Sequence, residues 1–196
     1  MKLTKMFGLV AVAALALMAF ASTASATTLE IAGVKQTTDV TIEATLNGSA
    51  TLSDTTNSFA NTCTKSTVEG NDSTSTTGTN VSGPISILSF SSCTHPTVVV
   101  HKPGTLSIDR IGETTNGTVR SSGAEVTVPA TIGTSLITVN CKTSETDLGT
   151  FTGVPKATEH ATIHINAVLN CGFFLPSAKW VGTYTVTSPT GLGVTA

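Results

Sequence analysis

From Ala161 to Cys171 the chain alternates with a period of two. Ala161, Ile163, Ile165, Ala167, Leu169 and Cys171 fall on one face, and Thr162, His164, Asn166, Val168 and Asn170 on the other. Successive side chains of an extended strand point to opposite faces, so this pattern predicts a strand with one buried side. A helix would scatter the same apolar residues around its axis. The pattern recurs in Val40, Ile42, Ala44 and Leu46, in Ala124, Val126 and Val128, in Leu106 with Ile108, and in Tyr184 with Val186. Turn formers separate these runs: Asn47-Gly48, Pro103-Gly104, Asn116-Gly117, Ser122-Gly123 and Gly191. Short Thr/Val/Ile-rich strands spaced in this way predict an all-β fold, β-sandwich-like or barrel-like.

The four cysteines add long-range constraints. Cys63 and Cys93 are 30 residues apart, Cys141 and Cys171 again 30, and the two pairs are offset by 78. The same offset carries Gly104-Thr105-Leu106-Ser107-Ile108 onto Gly182-Thr183-Tyr184-Thr185-Val186. We therefore expect one β domain over residues 27–196, built by internal duplication of segments near 39–110 and 117–188. An even number of cysteines in an exported chain predicts disulfides, and duplication favours Cys63–Cys93 with Cys141–Cys171 among three possible pairings. In the loop-entropy account each bridge would stabilise the fold by about 3.6 kcal/mol. Between the first two cysteines, the polar run from Glu69 to Asn80 is expected to be an exposed loop.

Export is predicted by the beginning of the chain. Lys2 and Lys5 precede an apolar run from Phe7 to Phe20, and Ala24-Ser25-Ala26 offers small residues for cleavage. This is the order of a secretory signal peptide over residues 1–26, with an apolar core short of the ~20 residues of a membrane-spanning helix. The product is expected to be secreted, extracellular or associated with the cell surface, or periplasmic in a host with an outer membrane. No membrane-spanning helix is expected after the leader is removed. With 10 basic and 12 acidic residues and a formal charge of −2, the chain has no basic field for a polyanion, and nucleic acid is not an expected partner.

Catalytic motifs are missing at the level of sequence. There is no Gly-x-Ser-x-Gly elbow, phosphate-binding loop or dinucleotide fingerprint. The acidic residues are scattered singly, without the paired setting that glycoside hydrolysis requires. His160 and His164 are the strongest metal or general-base candidates. On a strand, however, residues four apart stand about 13 Å apart, too far to share one ion easily. No catalytic residue, metal or cofactor is predicted. For binding, Trp180 and Tyr184 share a strand face with Gly182 between them, which makes them the candidate ligand-binding pair, with a carbohydrate as the expected ligand class. A hydrolase using His160 or His164 is a further alternative, and a β-barrel membrane pore is disfavoured by the scarcity of aromatic girdle residues.

The segments His160-Ala161-Thr162-Ile163-His164-Ile165-Asn166-Ala167-Val168-Leu169-Asn170-Cys171 and Tyr184-Thr185-Val186-Thr187-Ser188-Pro189-Thr190-Gly191 resemble a group of uncharacterised secreted bacterial β-rich four-cysteine proteins. In architecture alone the chain is also similar to small exported β proteins associated with biofilm matrix. The resemblance implies export and a disulfide-bonded β scaffold, and implies no activity. The expected function is non-catalytic: binding or assembly at the cell surface or in an extracellular matrix, with a second copy of the chain or a cell-envelope polysaccharide as partner.

Overall fold

A computed structural model of the chain describes residues 26–54, 59–72, 78–95, 97–132, 134–173 and 175–196. The leader expected over residues 1–26 lies outside the described residues except for Ala26. In chain order the strands are β1 (Thr28–Ile31), β2 (Val34–Lys35), β3 (Val40–Leu46), β4 (Ala50–Ser53), β5 (Ala60–Asp72), β6 (Asn80–Cys93), β7 (Val99–Lys102) and β8 (Thr105–Arg110). They continue as β9 (Gly117–Ser122), β10 (Glu125–Ile132), β11 (Ser135–Lys142), β12 (Thr146–Thr152), β13 (Thr162–Leu169), β14 (Ala178–Ser188) and β15 (Leu192–Thr195). The fold is all-β, as the alternation predicts.

Of the two architectures that the sequence allows, the chain adopts the barrel. Eight staves follow one another in the order β3/β4, β5, β6, β8, β9, β12, β13, β14, and β14 returns to pair with β3, closing the sheet. All the ladders are antiparallel. Closure satisfies both edges of every stave and leaves the barrel wall without an open edge.

β3 and β4 form one stave. Asn47-Gly48, predicted as a turn between strands, instead interrupts a strand that keeps the same neighbours on both sides. Thr45 and Ala50 face Thr67 and Cys63 of β5, and Leu46 and Thr51 face Tyr184 and Val181 of β14. The extra residues bulge outward, with Gly48 at φ 86° and the Asn47 amide bonded to the Thr183 carbonyl at 2.8 Å. The predicted polar loop from Glu69 to Asn80 is also shorter than expected. Glu69–Asp72 continue β5, and Asn80 opens β6, because β3 supplies ladder partners as far as Val40 opposite Asp72.

The inward faces are those that the alternation selects. Val40 and Ala44 of β3, with Ile165, Ala167 and Leu169 of β13, are buried, while Thr41, Glu43, His164 and Asn166 face outward. Phe59 and Phe151, each 1% exposed, are the largest side chains wholly inside, each worth ~1.5–3 kcal/mol of burial. The outer wall of Thr, Asn, Glu and Lys around an apolar interior is the reverse of a bilayer-spanning barrel, which is apolar outside.

Two three-stranded sheets close the ends. β15–β1–β2 comes from the two chain segments that flank the barrel and packs beneath it through Leu29, Leu192 and Val194, all 0% exposed. β11–β10–β7 comes from two excursions, between β6 and β8 and between β9 and β12, which leave and rejoin the barrel at its other end. One cluster of buried apolar side chains runs from Leu29 through the barrel to Val128 and Val139 in this cap.

Both expected disulfides form, Cys63–Cys93 and Cys141–Cys171. They do different work. Cys63 faces Cys93 across the β5–β6 ladder, whereas Cys141 on β11 ties the cap to the chain leaving β13. The 78-residue offset carries β3 onto β9, β6 onto β13 and β8 onto β14, barrel staves in each case, while β5 falls across the end of cap strand β11 and the start of stave β12.

Candidate functional site

The barrel interior is not filled to its axis. Inward positions on three adjacent staves carry small residues: Ala44 and Ala50 on β3/β4, Ala167 on β13, and Ala178 and Gly182 on β14. That side of the wall is set back. A Cβ added at Gly182 would stand 3.2 Å from the Ala50 methyl, so the backbones of β14 and β4 lie closer there than a larger pair would permit. What remains is a cavity of about 110 Å³, walled by side chains from every stave and roofed by Val126 and Val128 of β10. On this scale a single water needs ~10–15 Å³, so there is room for a small organic molecule.

The predicted pair Trp180 and Tyr184 both line this cavity. The Trp180 ring meets Phe90 of β6 edge-on, with centroids 6.2 Å apart and planes at 69°. Tyr184 is only 2% exposed, and its hydroxyl donates to Ser66 Oγ at 3.0 Å. Burial pushes the phenol pKa up to about 12, with the Ser66 hydroxyl acting weakly in the opposite direction. The pair therefore shares one face, as expected, and that face points inward. A stacking platform for an extended polysaccharide would need these rings on the outer wall.

Four polar side chains that reach the cavity, Asn61, Ser121, Thr143 and Tyr184, are hydrogen-bonded within the protein. Asn61, 2% exposed, donates from Nδ2 to the carbonyls of His95 and Pro129, both at 3.0 Å, and its Oδ1 accepts from the His95 amide at 3.1 Å. Ser121 and Thr143 share a hydroxyl contact at 3.1 Å, and Thr143 Oγ1 also accepts from the Ala124 amide at 3.0 Å. Tyr184 has Ser66. The rest of the lining is aliphatic side chains, the rings of Phe90 and Trp180, and the half-cystines Cys63 and Cys141. Asn61, Ala44 and Phe90 were not singled out from the sequence. A lone buried Asn in a Thr/Asn-rich chain gives no local signal of what it will grip.

A smaller space of about 40 Å³ adjoins this cavity toward the β15 end and shares Ala44, Val68 and Ile163 with it. Leu192 and Phe151 close it below, and Asp72 enters it from β5.

The histidines lie elsewhere. His164 faces outward on β13 with Nδ1 3.1 Å from Thr183 Oγ1, and His160 Nδ1 lies 2.7 Å from the Val186 carbonyl. His95 and His101 each meet a threonine hydroxyl of β10, at 3.2 and 2.8 Å. Among the described residues no three His, Cys, Asp or Glu side chains converge as metal ligands would. No helix among them is long and apolar enough to cross a membrane.

The arrangement can do one thing well: enclose an apolar body inside a closed β wall under a disulfide-anchored cap. No family model matches the chain, and no curated protein or solved structure is similar to it.

Proposed function

We propose that this protein is an exported, non-catalytic carrier that binds a small apolar molecule inside its barrel. The observation that carries this reading is the state of the wall. Asn61, Ser121, Thr143 and Tyr184 are hydrogen-bonded within the protein, and apart from the Trp180 indole the rest of the lining is aliphatic side chains, the Phe90 ring and half-cystines. A space lined in this way favours an apolar guest over water, which needs two to four polar partners. Trp180 and Tyr184 keep the binding role read from the sequence, with an apolar ligand in place of a carbohydrate. Two disulfides are compatible with an oxidising or extracellular setting, and the leader-like first 26 residues support export.

Trp180 is the single tryptophan of the chain, which supplies the test. A small brominated alkane or arene titrated into the purified protein should quench its emission saturably. The unbrominated analogue should compete. Quenching that rises linearly without saturation, or resists competition, would remove the proposal.

A further inference from the structure

The smaller space below the main cavity contains a carboxylate. Asp72 stands opposite Val40 in the β5–β3 ladder, and residues directly opposite one another share a face. Val40 is buried in the barrel, so Asp72 also points inward, in line with Val68 and Gly70. Around it are Ile42, Ile108, Phe151 and Leu192, and among the described residues it is the only ionisable side chain lining that space. None of the ion pairs or hydrogen bonds among the described residues satisfies its carboxyl group.

We infer that the ligand of this barrel is an amphipathic amine, whose hydrocarbon part fills the larger cavity and whose ammonium group pairs with the Asp72 carboxylate. The inference rests on the interior-binding reading above and names the ligand class of that same site. Three observations support it. The two spaces adjoin, with Ala44, Val68 and Ile163 lining both, so a head group at Asp72 lies next to the larger cavity. Among the described residues no Lys, Arg or His lines either space, so an anionic head group would meet only the repulsion of Asp72. Asp72 is half-buried among apolar side chains, and a carboxylate held there is stabilised when a cation reaches it.

The ionisation of Asp72 agrees with this geometry. Desolvation pushes its pKa up to about 7, and no neighbouring charge opposes the shift. An arriving ammonium selects the ionised carboxyl, so affinity for an amine should be greatest above that value. It should weaken by about tenfold per pH unit below it.

The test is competition against a neutral apolar fluorophore, using n-octylamine and n-octanol as matched probes. It is run on the full protein and on Asp72→Asn from about pH 5 to about pH 8.5, a range in which the alkylamine stays protonated. On the wild type, n-octylamine should bind at least tenfold tighter than n-octanol at the upper pH, and this preference should vanish at the lower pH. Asp72→Asn, which is isosteric and mimics the protonated acid, should abolish the preference at every pH and leave n-octanol unchanged. Binding of n-octanol without an amine preference, or a preference that survives Asp72→Asn, overturns the role of Asp72 and leaves interior binding standing. Failure of both probes to displace the fluorophore overturns both readings.

Discussion

Asn61 is a sharp point at which to test the architecture. Its side chain sits at the mouth of the barrel on β5 and holds both excursions that make the cap. Nδ2 reaches the carbonyl of His95, just before β7, and that of Pro129 in β10, while Oδ1 takes the His95 amide. Asn61→Ala removes three hydrogen bonds, each worth ~0.5–1.5 kcal/mol net. It also leaves a buried Pro129 carbonyl without this donor, so the total loss should be about 2–4 kcal/mol. That is a large fraction of the ~5–15 kcal/mol typical of a whole domain. Urea unfolding followed by the emission of Trp180 should show the midpoint falling with little change in slope, since the surface exposed on unfolding is nearly unchanged. Hydrogen exchange should localise the loosening to β7 and β10. A loss below about 1 kcal/mol, the value of a single ordinary hydrogen bond, would refute the argument that this residue is the clamp of the cap.

The disulfides should separate stability from retention. Replacing either pair by serine reopens a 30-residue loop and should lower stability by about 3.6 kcal/mol, yet only loss of Cys141–Cys171 should speed release of a bound fluorophore, because only that bridge anchors the cap. Equal release rates from the two variants would count against the cap as a barrier. Glu125 tests the electrostatics of the same sheet. It lies opposite Lys102 and Lys142 in the two ladders, and the Asn140 hydrogen bond, followed by Lys142, holds its carboxyl below the usual range. A carboxyl whose pKa falls on folding stabilises the folded state above its unfolded value and loses that contribution as the pH drops through the folded one. The β10 and β11 amides should therefore exchange faster only as the pH falls below the ordinary carboxylate range, and Glu125→Gln should remove that acid step. An unchanged step in the variant would show that another group is responsible.

The sequence discloses strand faces more readily than strand partners, and the reason is range. The inward set of β13 follows from the alternation of Ala161 through Cys171, because which residues share a face is settled within a few residues. Whether those strands close into a barrel depends on β14 pairing with β3, elements separated by most of the chain, and no local pattern carries that information. Asn47-Gly48 shows the same limit. A glycine at positive φ serves a tight turn and a bulge equally well, and only the neighbours β5 and β14 decide between them. Asp72 was hidden because Gly-Asn-Asp reads as a loop. Its place in β5 comes from the ladder with β3, which overrides a poor strand propensity. The candidate pair Trp180 and Tyr184 was visible as a shared face. Its inward direction agrees with the alternation of Tyr184 with Val186, whereas the cavity beside it depends on side chains from all the other staves, which no local pattern brings together.

Stability and emptiness have to coexist in this fold, and the devices that hold it together suit that requirement. An unfilled interior forfeits the dispersion contacts that its lining would make with a packed centre. The barrel cannot simply collapse onto the void, because each stave is hydrogen-bonded on both sides and moving one inward would disturb two ladders. A disulfide, in the loop-entropy account, acts on the unfolded chain, so it adds stability without placing any volume in the centre. The hydrogen bonds of Asn61, likewise, act at the rim and leave the axis open. Aromatic residues make up only 5% of the chain, and the inward positions of β3, β4 and β14 are given to Ala44, Ala50 and Gly182. Larger side chains at Ala44 and Ala50, which line the cavity, would add contacts to the protein, and they would occupy the space that a ligand needs.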